Sequence, residues 1–251
     1  MVVATSTCLY VGNPTDVRSA HRFTSASGHA GKLSATTDTT VTQLAALVEK
    51  ALGATCGDRL PGRDQLRTNR FGVHLAWLWA IDDQKGRKSN IHVYAAEHAM
   101  PNGSHLQDLK PVVDAMHAQT HRREFLTDVF VERYDGKRRR AQPLLAAEIE
   151  ASPNHGVEYA YEGEGRSDYL WDFTKLLYVR VPKRLFVACT LKGENLDVLS
   201  ETLVCGYQDA CLGKTDGDAA VVLLPAGHTE RKEVRLGRVA GGRLAFRRLW
   251  P

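Results

Sequence analysis

Apolar positions recur along this chain with two different periods, and the alternation between them predicts the order of its elements. Leu44, Leu47, Val48, Ala51 and Leu52 fall at helical spacing, which predicts a helix from about Thr40 to Leu52 with Gly53 as its stop. Residues 57–70 are polar and turn-rich. They precede the apolar run Phe71–Ile81, in which Trp77 and Trp79 stand two apart, as neighbours on one face of a strand do. A strand is expected over Ile91–Glu97, then a helix from Leu106 to Thr120 that Pro111 restricts to begin near itself. Two further strands are expected, Glu124–Arg133 and Pro143–Ala151. Ser167 is the expected N-cap of a helix whose stripe is Tyr169, Leu170, Phe173, Leu176 and Leu177. A buried strand over Arg184–Thr190, a helix over Asn195–Leu212 and a buried strand over Ala219–Leu224 follow. The closing segment alternates around Gly241 and Gly242 and reads as a hairpin.

This order predicts an α/β fold, a mixed central β-sheet flanked by helices. Strand, helix, strand from residue 143 to 190 forms a crossover unit, right-handed if its strands are parallel. With no internal repeat and no clear linker, residues 37–251 read as one domain. Residues 1–36, rich in Ser, Thr, Gly and His without an apolar period, read as a loosely ordered segment.

Acidic residues interrupt two of the apolar strands. Strand period places Leu144, Ala146, Glu148 and Glu150 on one face and Leu145, Ala147 and Ile149 on the other. Asp128 lies among Phe125, Leu126, Val129, Phe130 and Val131 of the preceding strand, whereas Asp135 before Gly136 reads as a turn residue. If the whole segment 135–142 is loop, Asp128 stands opposite Glu148; if Asp135-Gly136 closes a tight hairpin, Asp128 faces Pro143. Pro143 cannot donate to a ladder, which favours the longer loop. Clustered carboxylates repel one another unless a cation joins them. Mg²⁺ takes one or two carboxylates together with waters and phosphate oxygens, so hydrolysis of a phosphodiester is the implied chemistry, with Asp128 and Glu148 as metal ligands.

An Asp on one strand, a Glu-X-Lys or variant on the next and then a helix is the pattern this stretch resembles, that of the PD-(D/E)XK nuclease superfamily. Here it is carried by Asp128, Glu148-Ile149-Glu150 and the helix containing Trp171 to Leu177, within roughly a quarter of the chain. The resemblance implies a restriction-endonuclease-like fold and a Mg²⁺-dependent endonuclease, with Mn²⁺ as a substitute ion. It also implies DNA as substrate, a homodimer that cuts both strands and a role in defence against foreign DNA. The chain departs from the pattern at Glu150, where the superfamily most often has Lys. Lys175 on the following helix is the candidate for the displaced charge, and Glu150 for general base or metal ligand. The Ile149 carbonyl is expected to complete the ligation.

Composition narrows the picture only a little. The 251 residues carry 33 Lys and Arg against 29 Asp and Glu, a net charge of +4 that permits a nucleic-acid partner without requiring one. Its distribution says more: Lys137, Arg138, Arg139 and Arg140 form a basic run expected to contact DNA phosphates beside the acidic strands, and Arg243, Arg247 and Arg248 cluster later. Five cysteines without CxxC spacing argue against a disulfide framework or a structural zinc site, and Cys189, Cys205 and Cys211 are expected to be packed thiols. His117 and His121 stand four apart but have no third ligand. No apolar run is long enough for a membrane span and no secretory signal is evident, so a cytoplasmic location is expected. Phosphate-loop, dinucleotide and nucleophile-elbow motifs are absent. The alternative function is a catalytically silent module that keeps the nuclease fold and binds nucleic acid or a protein partner, the missing lysine being its support.

Overall fold

The computed structural model describes residues 35–56, 65–82, 90–95, 119–122, 127–135, 137–150, 168–190, 195–210, 218–225, 231–240 and 242–250. The expected loose segment 1–36 lies outside these apart from its last two residues, as do Ser167, His117, Cys211 and most of the expected helix 106–120. Thr120, the end of that helix, is in a strand instead.

Four α-helices are described: α1 (Ala35–Thr55), α2 (Gln65–Asp82), α3 (Asp168–Leu177) and α4 (Leu196–Ala210). The strands are β1 (Asn90–Ala95), β2 (Gln119–Arg122), β3 (Val129–Asp135), β4 (Arg140–Glu150), β5 (Lys183–Cys189), β6 (Asp218–Leu224), β7 (Arg235–Ala240) and β8 (Arg243–Arg248). They form one eight-stranded sheet in the order β2-β1-β3-β4-β5-β6-β7-β8. The expected mixed α/β architecture is therefore found. Strands β4, β5 and β6 run parallel, while β1–β3, β3–β4, β6–β7 and β7–β8 pair antiparallel. Gly242, with φ of +75°, supplies the left-handed turn residue between β7 and β8. Strand β8 is an edge, and it carries Arg243, Arg247 and Arg248 exposed. No described helix is long and apolar enough to cross a membrane.

Each face of the sheet has its own core. On one side α1 and α2 bury Leu44, Val48, Leu52, Phe71 and Trp77 against Leu145, Ala147, Ile149, Leu185, Val187 and Val222. On the other, α3 and α4 bury Phe173, Leu176, Leu203 and Tyr207 against Ala146, Phe186, Ala188 and Val221. Strand β5 is buried from end to end, which is why its sequence lacks alternation.

The largest correction concerns residues 65–82. The run expected as a strand is the body of α2, and its start lies inside the stretch expected to be polar turn. Residues 71–80 are buried all the way round, so no polar face marks a helical period. Trp77 and Trp79 are buried as expected, but in a helix. Helix α1 also continues past Gly53, its expected stop, to Thr55. Among the cysteines, Cys189 is a buried thiol outside any disulfide, whereas Cys205 is disulfide-bonded, which overturns its reading as a packed thiol.

Candidate active site

The site lies at the C-terminal end of β4, where β3 begins. Asp135 pairs with Arg140, so the connection between β3 and β4 is shorter than the 135–142 segment favoured from sequence, and residues 137–139 are turn. Asp135 is the turn residue expected: its carboxylate accepts hydrogen bonds from the backbone N–H groups of Lys137 (3.0 Å) and Arg138 (3.3 Å). Arg139 takes the left-handed conformation, at φ of 49°. The register then shifts by one residue between Val131 and Glu132, which oppose Leu145 and Pro143. Leu144 is thus an extra residue in β4, a β-bulge. Beyond it Val129 opposes Ala147, and one further step along the ladder sets Asp128 across from Glu148.

The bulge also corrects one face assignment. Leu144 and Leu145 both enter the α1–α2 core, whereas strict alternation placed Leu144 on the side of Glu148. From Leu145 onward the alternation holds. Ala147 and Ile149 face α2, and Ala146 and Glu148 face α3.

Helix α3 forms because its apolar residues make one stripe, Tyr169, Phe173, Leu176 and Leu177, that covers β4 and β5. Its first turn is tied to the end of β5, where the Tyr169 hydroxyl donates to the Cys189 carbonyl at 3.1 Å. This seating brings Lys175 Nζ within 3.0 Å of Glu148 Oε1 and 3.1 Å of Asp172 Oδ1. The first contact is an ion pair that sets the buried Glu148 Oε1 against the Lys175 ammonium. Asp128, half-buried just before β3, accepts a 2.7 Å hydrogen bond from the Ile149 backbone N–H through Oδ2. That bond joins the start of one strand to the end of the next at the point where their ladder stops.

Electrostatics separates the carboxylates. Glu148 is 3% exposed, and its pKa is pushed up from 4.5 to about 8, first by burial and then by the charge of Asp128. Lys175 opposes that rise, and Asp172 adds to it. For Lys175, burial pulls the ammonium down, but Glu148 and Asp172 outweigh burial and its pKa is raised. The Lys175 charge therefore persists at neutral pH, held between two acids.

Of the residues expected from sequence, the structure brings Asp128, Glu148 and Lys175 together. Glu150 is half-buried at the end of β4 opposite Ala188 of β5, and it is not among the charges acting on Glu148. Among the described residues, no group of three or more His, Cys, Asp or Glu side chains is placed so as to hold a metal ion. Asp172 was missed in the sequence reading, although its spacing of three from Lys175 on a helix was the available signal.

The basic run sits elsewhere. Lys137, Arg138, Arg139 and Arg140 are exposed at the turn end of the hairpin. Glu148 is eight residues along β4 from Arg140, roughly 26 Å at ~3.3 Å per residue. A hairpin's turn and its open end lie at opposite edges of the sheet, so this run is not beside the acids. The C-terminal ends of β4 and β8 share one edge, and there Arg247 and Arg248 lie four strands away, about 19 Å.

On the opposite face, α2 approaches β4 at Gly72. A Cβ at this position would stand 2.6 Å from Ile149 Cδ1, so the glycine permits the close seating of α2 behind the Glu148-Ile149-Glu150 segment. No family model matches the chain, and neither a curated protein nor a solved structure matches it.

Proposed function

We propose that this protein is a Mg²⁺-dependent endonuclease of restriction-endonuclease-like fold that hydrolyses phosphodiester bonds of DNA. The observation that carries the reading is the convergence of Asp128 and Glu148 at the open end of a strand pair, with Lys175 delivered to Glu148 from the next helix. Asp128 lies close enough for its charge to raise the pKa of Glu148, and a cation bound between two such carboxylates relieves that repulsion. Two carboxylates suffice for Mg²⁺, the rest of its shell being water and phosphate oxygen. Asp128 and Glu148 would hold the ion, which when bound polarises the phosphoryl group, lowers the pKa of a water nucleophile and steadies the leaving oxygen.

The chain's own groups supply the rest. The Ile149 N–H fixes the aim of the Asp128 carboxylate. Glu150, the acid where the superfamily most often has lysine, accepts the proton of the attacking water. Lys175 keeps its charge at neutral pH and offsets negative charge developing on the phosphate. The basic turn Lys137–Arg140 holds backbone phosphates at a distance from the reacting one, and a homodimer acting in defence against foreign DNA extends the same reading.

The test is conversion of supercoiled plasmid to nicked or linear form with Mg²⁺, Mn²⁺ or EDTA. Cutting is expected with either ion and not with EDTA, and Asp128→Asn and Glu148→Gln should each slow it by at least about a hundredfold. Cutting in EDTA, or undiminished cutting by both variants, would refute the assignment. A second reading rests on Glu150, which stands where the superfamily most often has lysine. It is a catalytically silent module of the same fold that binds nucleic acid or a protein partner. That reading predicts no metal-dependent cutting and no Mg²⁺-dependent rise in Tm.

A further inference from the structure

Helix α3 presents to solvent a face that its packing does not use. Trp171 is 60% exposed and Tyr178 is 72% exposed, although the same helix buries Tyr169 and Phe173. The two exposed rings are not scattered. Trp171, Lys175 and Tyr178 are spaced four and three apart, so they share one side of the helix. The turn persists through Tyr178, whose N–H donates to the Lys175 carbonyl at 3.2 Å. Lys175, between the rings, is the residue whose ammonium reaches Glu148. Arg180, two residues beyond Tyr178, is also exposed. Single exposed aromatics are ordinary, but two on one side of a helix with a cation between them and another just beyond the helix form a patterned surface beside the acidic site.

Its chemistry selects one occupant. Aromatic rings alternating with cations suit a polyanion that carries flat apolar faces, which is a nucleic-acid strand with its bases unpaired. Seven helical residues separate the rings by about 10 Å, or about three steps of a stacked strand at ~3.4 Å per nucleotide. In a duplex each base face is covered by its neighbours, and a side chain meets only base edges and phosphates. Rings standing out from a helix have nothing to stack on there.

We propose that the outer face of α3, through Trp171 and Tyr178, is a stacking platform for unpaired nucleotides. Resting on the nuclease reading, it directs the acidic site to single-stranded nucleic acid or to an unpaired segment of a duplex. Arg180, exposed just beyond Tyr178, takes a phosphate of the bound strand, while Lys175 stays with Glu148 and Asp172 at the acidic site.

The experiment is fluorescence anisotropy of a labelled oligothymidylate and of a duplex of equal length, titrated with full-length protein in EDTA so that cleavage plays no part. The wild type is expected to bind the single strand more tightly than the duplex. Trp171→Ala and Tyr178→Ala should each weaken single-strand binding about tenfold, Trp171→Phe should retain most of it, and duplex binding should be unchanged. Both rings are exposed, and circular dichroism melting of each variant checks that its fold is intact. Duplex binding as tight as single-strand binding, single-strand binding that neither alanine variant alters, or binding to neither probe would overturn the proposal. Because the assay is free of metal, the two readings fail separately. Metal-dependent cutting with ring-independent binding removes the platform alone, whereas ring-dependent binding with no Mg²⁺-dependent cutting of either plasmid or a single-stranded oligonucleotide removes the nuclease alone.

Discussion

Glu148 makes stability depend on pH in the direction opposite to most carboxylates. Its folded pKa of about 8 lies above its ordinary 4.5, chiefly through burial, so the folded state holds the proton more tightly than the unfolded chain does. The stabilisation is complete below pH ~4.5 and is lost as pH rises through about 8. Glu148→Gln keeps the shape and removes the titration. The expected result is a Tm that falls between pH 5 and pH 9 in the wild type and falls measurably less in the variant, read by thermal denaturation in EDTA. Equal slopes would show that Glu148 does not titrate as described. Much of this site was legible in the residues. Two acids in an apolar strand pose a burial problem whatever the fold, and a lysine on the next helix is within reach of one of them. Asp172 was harder to find because a helical Asp three residues from Lys has the ordinary form of a surface ion pair. Only the seating of α3 turns it toward Glu148.

The elements show where pattern reading succeeds and where it fails. Helix α3 has one polar side, and strand β4 carries its acids two apart beyond Leu145, so their periods could be read there. Helix α2 has none from Phe71 to Ala80, and an apolar run buried on every side has no period to distinguish helix from strand. The Leu144 bulge was also invisible, since an extra strand residue changes pairing without changing composition. Its effect is large, because it supplies the one residue that a four-residue turn lacks for setting Asp128 opposite Glu148. The contact between α2 and β4 can be tested at Gly72. Gly72→Ala drives a methyl to within 2.6 Å of Ile149 Cδ1 and is expected to cost about 1–3 kcal/mol, measured by urea unfolding. Adding Ile149→Val, which removes that terminal carbon, should recover part of the loss. Full stability in Gly72→Ala alone would mean that Ile149 gives way at no more than the roughly 1 kcal/mol that alanine gains over glycine in a helix interior.

For the whole molecule, the sheet order decides what can act together. The basic turn and the acidic site are neighbours in sequence and lie at opposite edges of the sheet, whereas Arg247 and Arg248, a hundred residues from the acids, share their edge. No property of a single segment carries that information, because it arises from the directions of five successive strands. Among the described residues, the same order leaves one side of β8 unpaired, on a strand bearing Arg243, Arg247 and Arg248. An unpaired edge is a template for another chain, and charge is one of the means by which such pairing is prevented. Repulsion between charged edges reaches as far as salt allows, about 10 Å at 0.1 M and 3 Å at 1 M. Solubility should therefore depend on ionic strength. Light scattering of the wild type is expected to stay low in 0.1 M NaCl and rise in 1 M, and a variant with all three arginines changed to Ser should scatter in both. In that sense the molecule's colloidal lifetime is set at one strand, and its best storage buffer is a dilute one.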